Sequence, residues 1–200
     1  MKKALAICSV ISALLLTSCT QGWTQAESEL ITAAAYSRMR VVTTANPSDS
    51  LFLREKCAPL TKKEVMSPEF GMLAASMIET VNDEYHAGVG IAAPQVGIGR
   101  RMVVVQRFDK AGRPFEVYVN PEITAYGEER ALGGEGCLSV PDMRGKVERA
   151  TSIELSWRDA VTFEPRHERI EGFTAVIFQH EIDHLDGTLY IDRASELFVR

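Results

Sequence analysis

His180-Glu181-Ile182-Asp183-His184 decides how the rest of this chain is read. Residues four apart on an α-helix lie one turn apart on the same face. Imidazoles at 180 and 184 can therefore hold one metal ion between them. Glu181, turned by about 100° from His180, can reach a water on that ion. The pattern requires a helix, and its flanks supply one. Phe173, Val176, Ile177, His180 and His184 share a side of the stretch from about Gly172 to Leu185, and Asp186-Gly187 closes it. Asp183 falls on the wrong face to be a ligand and is expected to pair with a basic residue, Arg149.

A five-residue match arises often by chance, so the third ligand decides the class. Metalloproteases with such a helix add a downstream His or Glu. No His follows His184 here, and Glu196 lies in the tail. Upstream, Leu132-Gly133-Gly134 leads into Glu135-Gly136-Cys137-Leu138-Ser139. A lone cysteine is more often a small buried apolar residue. Here the preceding glycine permits close backbone approach, and a Cys-His-His set would leave one position open for water. A third stretch, Gly88-Val89-Gly90-Ile91-Ala92-Ala93-Pro94-Gln95, is Gly-rich but follows a helix and precedes proline, so it is no dinucleotide fingerprint.

Taken in order, G-x-G-x-A-A-x-Q, E-G-C-L-S and Q-H-E-x-D-H resemble the three signature motifs of peptide deformylases, over roughly residues 40–193. The resemblance implies a hydrolase that removes the formyl group from N-formyl-methionyl peptides during protein biosynthesis. It implies a metal on Cys137, His180 and His184, with Glu181 as general base and acid. It places Gln95 and the backbone N–H of Leu138 at the developing oxyanion. Gly88, Val89, Gly90, Glu135, Gly136, Arg144, Val176 and Ile177 fall where the family holds the substrate backbone and the methionine side chain. The family's metal is Fe(II), with Zn, Ni or Co as substitutes; ligand identity alone does not separate them.

The rest of the chain reads as α+β, with mostly antiparallel sheets around a central, metal-binding H-E-x-x-H helix. Ser67-Pro68-Glu69 predicts a helix start, with Phe70, Leu73, Ala74, Met77, Ile78 and Val81 as its apolar face and an end near Tyr85-His86. Strands are expected across 101–108, with Asp109 to Arg113 as a turn. A second runs from Phe115 until Pro121 stops it, and a third contains Ile153, Leu155 and Trp157. His86 and His167 are expected at the surface and Cys57 buried.

The 200 residues carry a formal net charge of -5, and nothing in them suggests a basic stripe, which argues against a nucleic-acid partner. Met1-Lys2-Lys3 precedes an apolar run from Ala4 to Leu16, too short for a membrane span of ~20 residues but suited to a signal peptide. Leu16-Thr17-Ser18-Cys19 resembles the lipobox of bacterial lipoproteins, so Cys19 is the expected lipidation site. Residues 1–18 then form a signal peptide, 19–45 a lipid-anchored tether and 46–200 the catalytic domain. The expected location is the periplasmic face of a bacterial membrane; the alternative is a cytoplasmic protein begun at Met39. No structural disulfide is expected from the four cysteines. Two rival readings remain open: an exported H-E-x-x-H metallopeptidase that cuts internal peptide bonds, and a lipoprotein that only binds N-blocked peptides.

Overall fold

The computed structural model describes residues 22–83 and 88–199. Helix α1 (Gln25–Ala34) begins in a reciprocal cap: the Glu27 N–H donates to Thr24 Oγ1, and the Thr24 N–H donates to the Glu27 carboxylate at 2.9 Å. Short helices α2 (Pro47–Phe52) and α3 (Lys62–Val65) follow, then α4 (Pro68–Val81). Strand β1 (Gly90–Ala92) runs into a 3-10 turn over Ala93–Val96, and β2 (Met102–Gln106) and β3 (Phe115–Tyr126) come next. Strands β4 (Arg130–Cys137), β5 (Val140–Ala150), β6 (Ser152–Arg158) and β7 (Pro165–Glu171) lead to α5 (Gly172–Leu185). Helix α6 (Tyr190–Arg193) and strand β8 (Glu196–Val199) complete the described residues.

The strands form two sheets with antiparallel neighbours, β1-β2-β3-β6-β7 and β4-β5-β8. The class is therefore α+β. Helix α5 lies on the larger sheet, where Ala175, Phe178, Ile182 and Leu185 pack among Val103, Val105, Tyr118, Ile153 and Leu155. The Phe178 and Tyr118 rings meet edge-on at 4.7 Å. On the other side, Phe70, Leu73, Met77 and Val81 of α4 pack with Ile91, Met102 and Val104. The larger sheet thus fixes both helices, and α5 receives its address from the sheet's apolar face.

The structure departs from the sequence reading at several points. Residues 22–45, expected as a tether, are folded onto the domain. Ile31 is fully buried, Met39 donates its N–H to Thr80 Oγ1, and Val42 donates to the Gln95 carbonyl. Arg100 holds this segment by pairing with Glu27 at 2.8 Å and Glu64 at 3.0 Å, nearly out of solvent. Helix α4 stops at Val81, capped by Asn82, rather than near Tyr85-His86, which lie outside the described residues. Ser67 makes no capping bond there; its hydroxyl instead accepts from Trp23 Nε1 and donates to the Glu64 carbonyl. Strand β3 passes through Pro121, because the ladder to β6 shifts register between Val119 and Glu122 and so never calls on the missing N–H. The tail from Ala194 is in part strand β8, paired with Met143–Lys146 of β5.

Candidate metal centre

Cys137 ends β4 just before the two-residue turn Leu138-Ser139, and pairs across the hairpin with Val140. The ladder is irregular between Glu135 and Cys137, a bulge that re-aims the thiol. Its Sγ lies 3.2 Å from His184 Nε2. The N–H of Ser139 and the Gln95 amide Nε2 each approach the same sulfur at 3.4 Å. One ligand atom each from Cys137, His180 and His184 lies within 4.8 Å of the others. Burial opposes a thiolate at Cys137, yet the His184 and His180 rings hold the thiol well below its usual range.

Behind these atoms runs a chain of charged hydrogen bonds. His180 Nδ1 sits 2.8 Å from Glu135 Oε2, which turns the ring's other nitrogen toward Cys137. Glu135 accepts from Arg149 Nε at 2.8 Å and Nη2 at 3.1 Å. Burial works against its ionisation, but His180 and Arg149 hold the Glu135 carboxyl down to about 2. Arg149 also donates to Asp183, as expected from the sequence, and Asp183 accepts two further bonds from Arg193 at 2.6 Å. Tyr190 stacks on the His180 ring at 6.0 Å. Arg193 and Tyr190 were not singled out in the sequence, since nothing in their spacing separates them from an ordinary helix end.

Glu181 is 4% exposed, and its Oε2 has no hydrogen-bond partner. Burial pushes this carboxyl up to about 7, against the pull of the two imidazoles. Gly90 explains how it fits: a Cβ there would stand 2.5 Å from Glu181 Oε1 and 2.8 Å from Ile177. Gln95 is oriented by the Ala92 N–H, which donates to its Oε1 at 2.8 Å and leaves Nε2 facing Cys137 and Ser139.

These groups open into a cleft of about 510 Å³. It brings together Gln95, Cys137, Leu138, His180 and Glu181 with all eight residues expected to hold the substrate; His184 lies behind it, fully buried. Phe173 and Gly134 also line the cleft and were not assigned to the site from the sequence. His167 is exposed and Cys57 buried and free, as expected; Cys19 and His86 lie outside the described residues.

One thiol, two imidazoles and a buried carboxyl with one free oxygen fit a divalent transition metal with an open position. An α+β fold with such a centre defines the class as a metal hydrolase. The family model described as polypeptide deformylase matches residues 39–198. A peptide deformylase of Leptospira biflexa serovar Patoc is 42% identical over 149 residues, covering 70% of this chain and 81% of that protein. A class I type b peptide deformylase from Acinetobacter baumannii, solved with actinonin bound, is 37% identical with a TM-score of 0.69, covering 80% of this chain and 99% of its own. The same enzyme solved with Met-Ala-Ser bound is 36% identical with a TM-score of 0.68, covering 79% and 99%. The chain belongs to the polypeptide deformylase family.

Proposed function

We propose that this peptide deformylase frees formyl-methionyl peptides of their formyl group at the cleft between β1, β4 and α5. The observation that carries the site assignment is the buried Glu181 carboxyl, its Oε2 without a hydrogen-bond partner, beside three converging ligand atoms. Cys137, His180 and His184 would hold the metal, Fe(II) in this reading, with Zn, Ni or Co able to replace it. When bound, a divalent metal supplies Lewis acidity and lowers the pKa of water to ~7.

Glu181 accepts a proton from the water that attacks the formyl carbon. The C–N bond then breaks, formate leaves, and Glu181 returns the proton to the peptide amine. Gln95 Nε2 and the Leu138 N–H meet the negative charge that develops on the formyl oxygen. Val89, Val176 and Ile177 offer an apolar wall to the methionine side chain, and Gly88, Gly90, Glu135, Gly136 and Arg144 border the peptide backbone. The Met-Ala-Ser peptide held by the Acinetobacter enzyme supports a substrate of this kind.

A metallopeptidase reading needs Cys137 to be a bystander, and its sulfur is 3.2 Å from His184. A binder has no use for Glu181. Formate release from formyl-Met-Ala-Ser by anaerobically purified, metal-loaded protein is the direct test. Cleavage of internal peptide bonds without formate release would overturn the proposal.

We also propose export and lipidation at Cys19, on the strength of Lys2-Lys3, the apolar run to Leu16 and the small residues before the cysteine. Among the described residues no helix is long and apolar enough to cross a membrane.

A further inference from the structure

The charged hydrogen bonds behind His180 do not end among buried groups; they end at the surface, on Arg193. Its Nε and Nη2 donate to Asp183 Oδ2 and Oδ1, each at 2.6 Å. Arg149 Nη1 donates to the same Oδ2 at 2.6 Å, while its Nε and Nη2 grip Glu135, which holds His180 Nδ1 at 2.8 Å. Positive and negative groups alternate along the whole line. Glu135, Arg149 and Asp183 are nearly out of solvent, whereas the Arg193 side chain is 48% exposed.

An exposed ion pair contributes little unless it is bidentate or belongs to a network. This one is both. A two-pronged grip also does what a single bond cannot, since it stops the Asp183 carboxylate from turning and keeps Oδ2 aimed at Arg149. Arg193 is itself held in place by its helix. At the start of α6 the Leu189 N–H donates to Asp192 Oδ2 at 2.8 Å, and Asp192 pairs with Arg54. After α6 the Ser195 N–H donates to the Lys146 carbonyl at 2.9 Å, and β8 joins β5. The same helix lays Tyr190 along the His180 ring.

We propose that Arg193 is a positioning residue for the metal centre, holding the His180 ring in its metal-binding pose through Asp183, Arg149 and Glu135. Without Arg193 the Asp183 carboxylate is free to turn. Arg149 then loses a fixed acceptor, Glu135 loses a rigid partner, and the ring facing Cys137 is less constrained. The inference rests on the assignment of Cys137, His180 and His184 as metal ligands.

The test uses Co(II), whose visible spectrum follows the arrangement of its thiolate and imidazole ligands. Co(II) affinity is measured on the full chain by competition with a chelator, and melting of the metal-free protein reports the fold. Losing an outer partner of a metal ligand costs about 10–100-fold in affinity. Arg193→Met should therefore weaken Co(II) binding by about 10-fold and shift its absorption bands. Arg193→Lys keeps the charge but not the fork, and should recover part of the loss. In Glu135→Gln the line is already cut, so adding Arg193→Met should weaken binding little further. Wild-type affinity and spectrum in folded Arg193→Met, or losses that multiply in the double variant, would overturn the proposal. If Arg193→Met does not fold, the same readings on Arg193→Lys decide. Wild-type protein that takes up no Co(II) on Cys137, His180 and His184 would instead overturn the metal-centre assignment itself.

Discussion

Glu181 and Glu135 are both buried carboxylates of the same centre, and their surroundings push them in opposite directions. Glu181 lacks a partner on one oxygen and is raised to about 7, whereas Glu135 is gripped by His180 and Arg149 and held near 2. The first is suited to carrying a proton, the second to holding a ring in place. Glu181→Gln should keep its metal and lose about 10²–10⁴ in kcat, since an amide cannot take the water's proton. Near-normal turnover at unchanged metal content would remove Glu181 from the chemistry. Glu135→Gln should instead weaken metal retention by about 10–100-fold, read by metal analysis after dialysis against a competing chelator. Retention equal to wild type would reduce Glu135 to a packing residue. At this scale the sequence is informative because the i, i+4 spacing of His180 and His184 is itself a statement about a shared helix face. Tyr190 and Arg193 act from a four-residue helix through contacts that no local spacing encodes.

Among the elements, α1 shows how a polar, weakly apolar stretch can be misread. Residues 22–45 have little periodic hydrophobicity, and a charge pair to Arg100, more than 70 residues from Glu27, anchors them. Burial opposes ionisation of Glu27, but Arg100 and Thr24 hold its carboxyl below the usual range. Arg100→Met would leave Glu27 and Glu64 as uncompensated acids in a nearly dry site, a change that costs about 3–5 kcal/mol in comparable pairs. Urea unfolding should show it, with partial recovery when Glu27→Gln is added. A midpoint equal to wild type would mean that α1 is held by its apolar contacts alone. Strand β8 is hidden for a different reason: all four of its residues are exposed, so it has no inward face for alternation to reveal. In α5 and β2 the opposite holds, since both have faces buried in one core and their patterns are read directly.

Over the whole molecule, the N-terminus and the centre make separable statements. Cys19→Ala should abolish palmitate labelling and move the protein out of the membrane fraction; unchanged labelling and fractionation would return the enzyme to the cytosol. Only two residues, Thr20 and Gln21, separate Cys19 from Gly22, whose carbonyl accepts from Arg100 at 3.0 Å. The centre draws Cys137 from the small sheet and both histidines from a helix seated on the large one. A metal held there would act as a rivet through two plates. Stripping it should lower the melting temperature, by an amount worth about 2.7 kcal/mol when free metal stands at a hundred times its Kd. The loosening should also be local, with amides of the β4–β5 hairpin exchanging sooner while β2 and β3 keep their protection. Uniform faster exchange across both sheets would show that they are joined well enough without the fastener. If the hairpin alone yields, metal loss unhinges the jaw that holds the peptide, and starvation for the ion silences the enzyme mechanically as well as chemically.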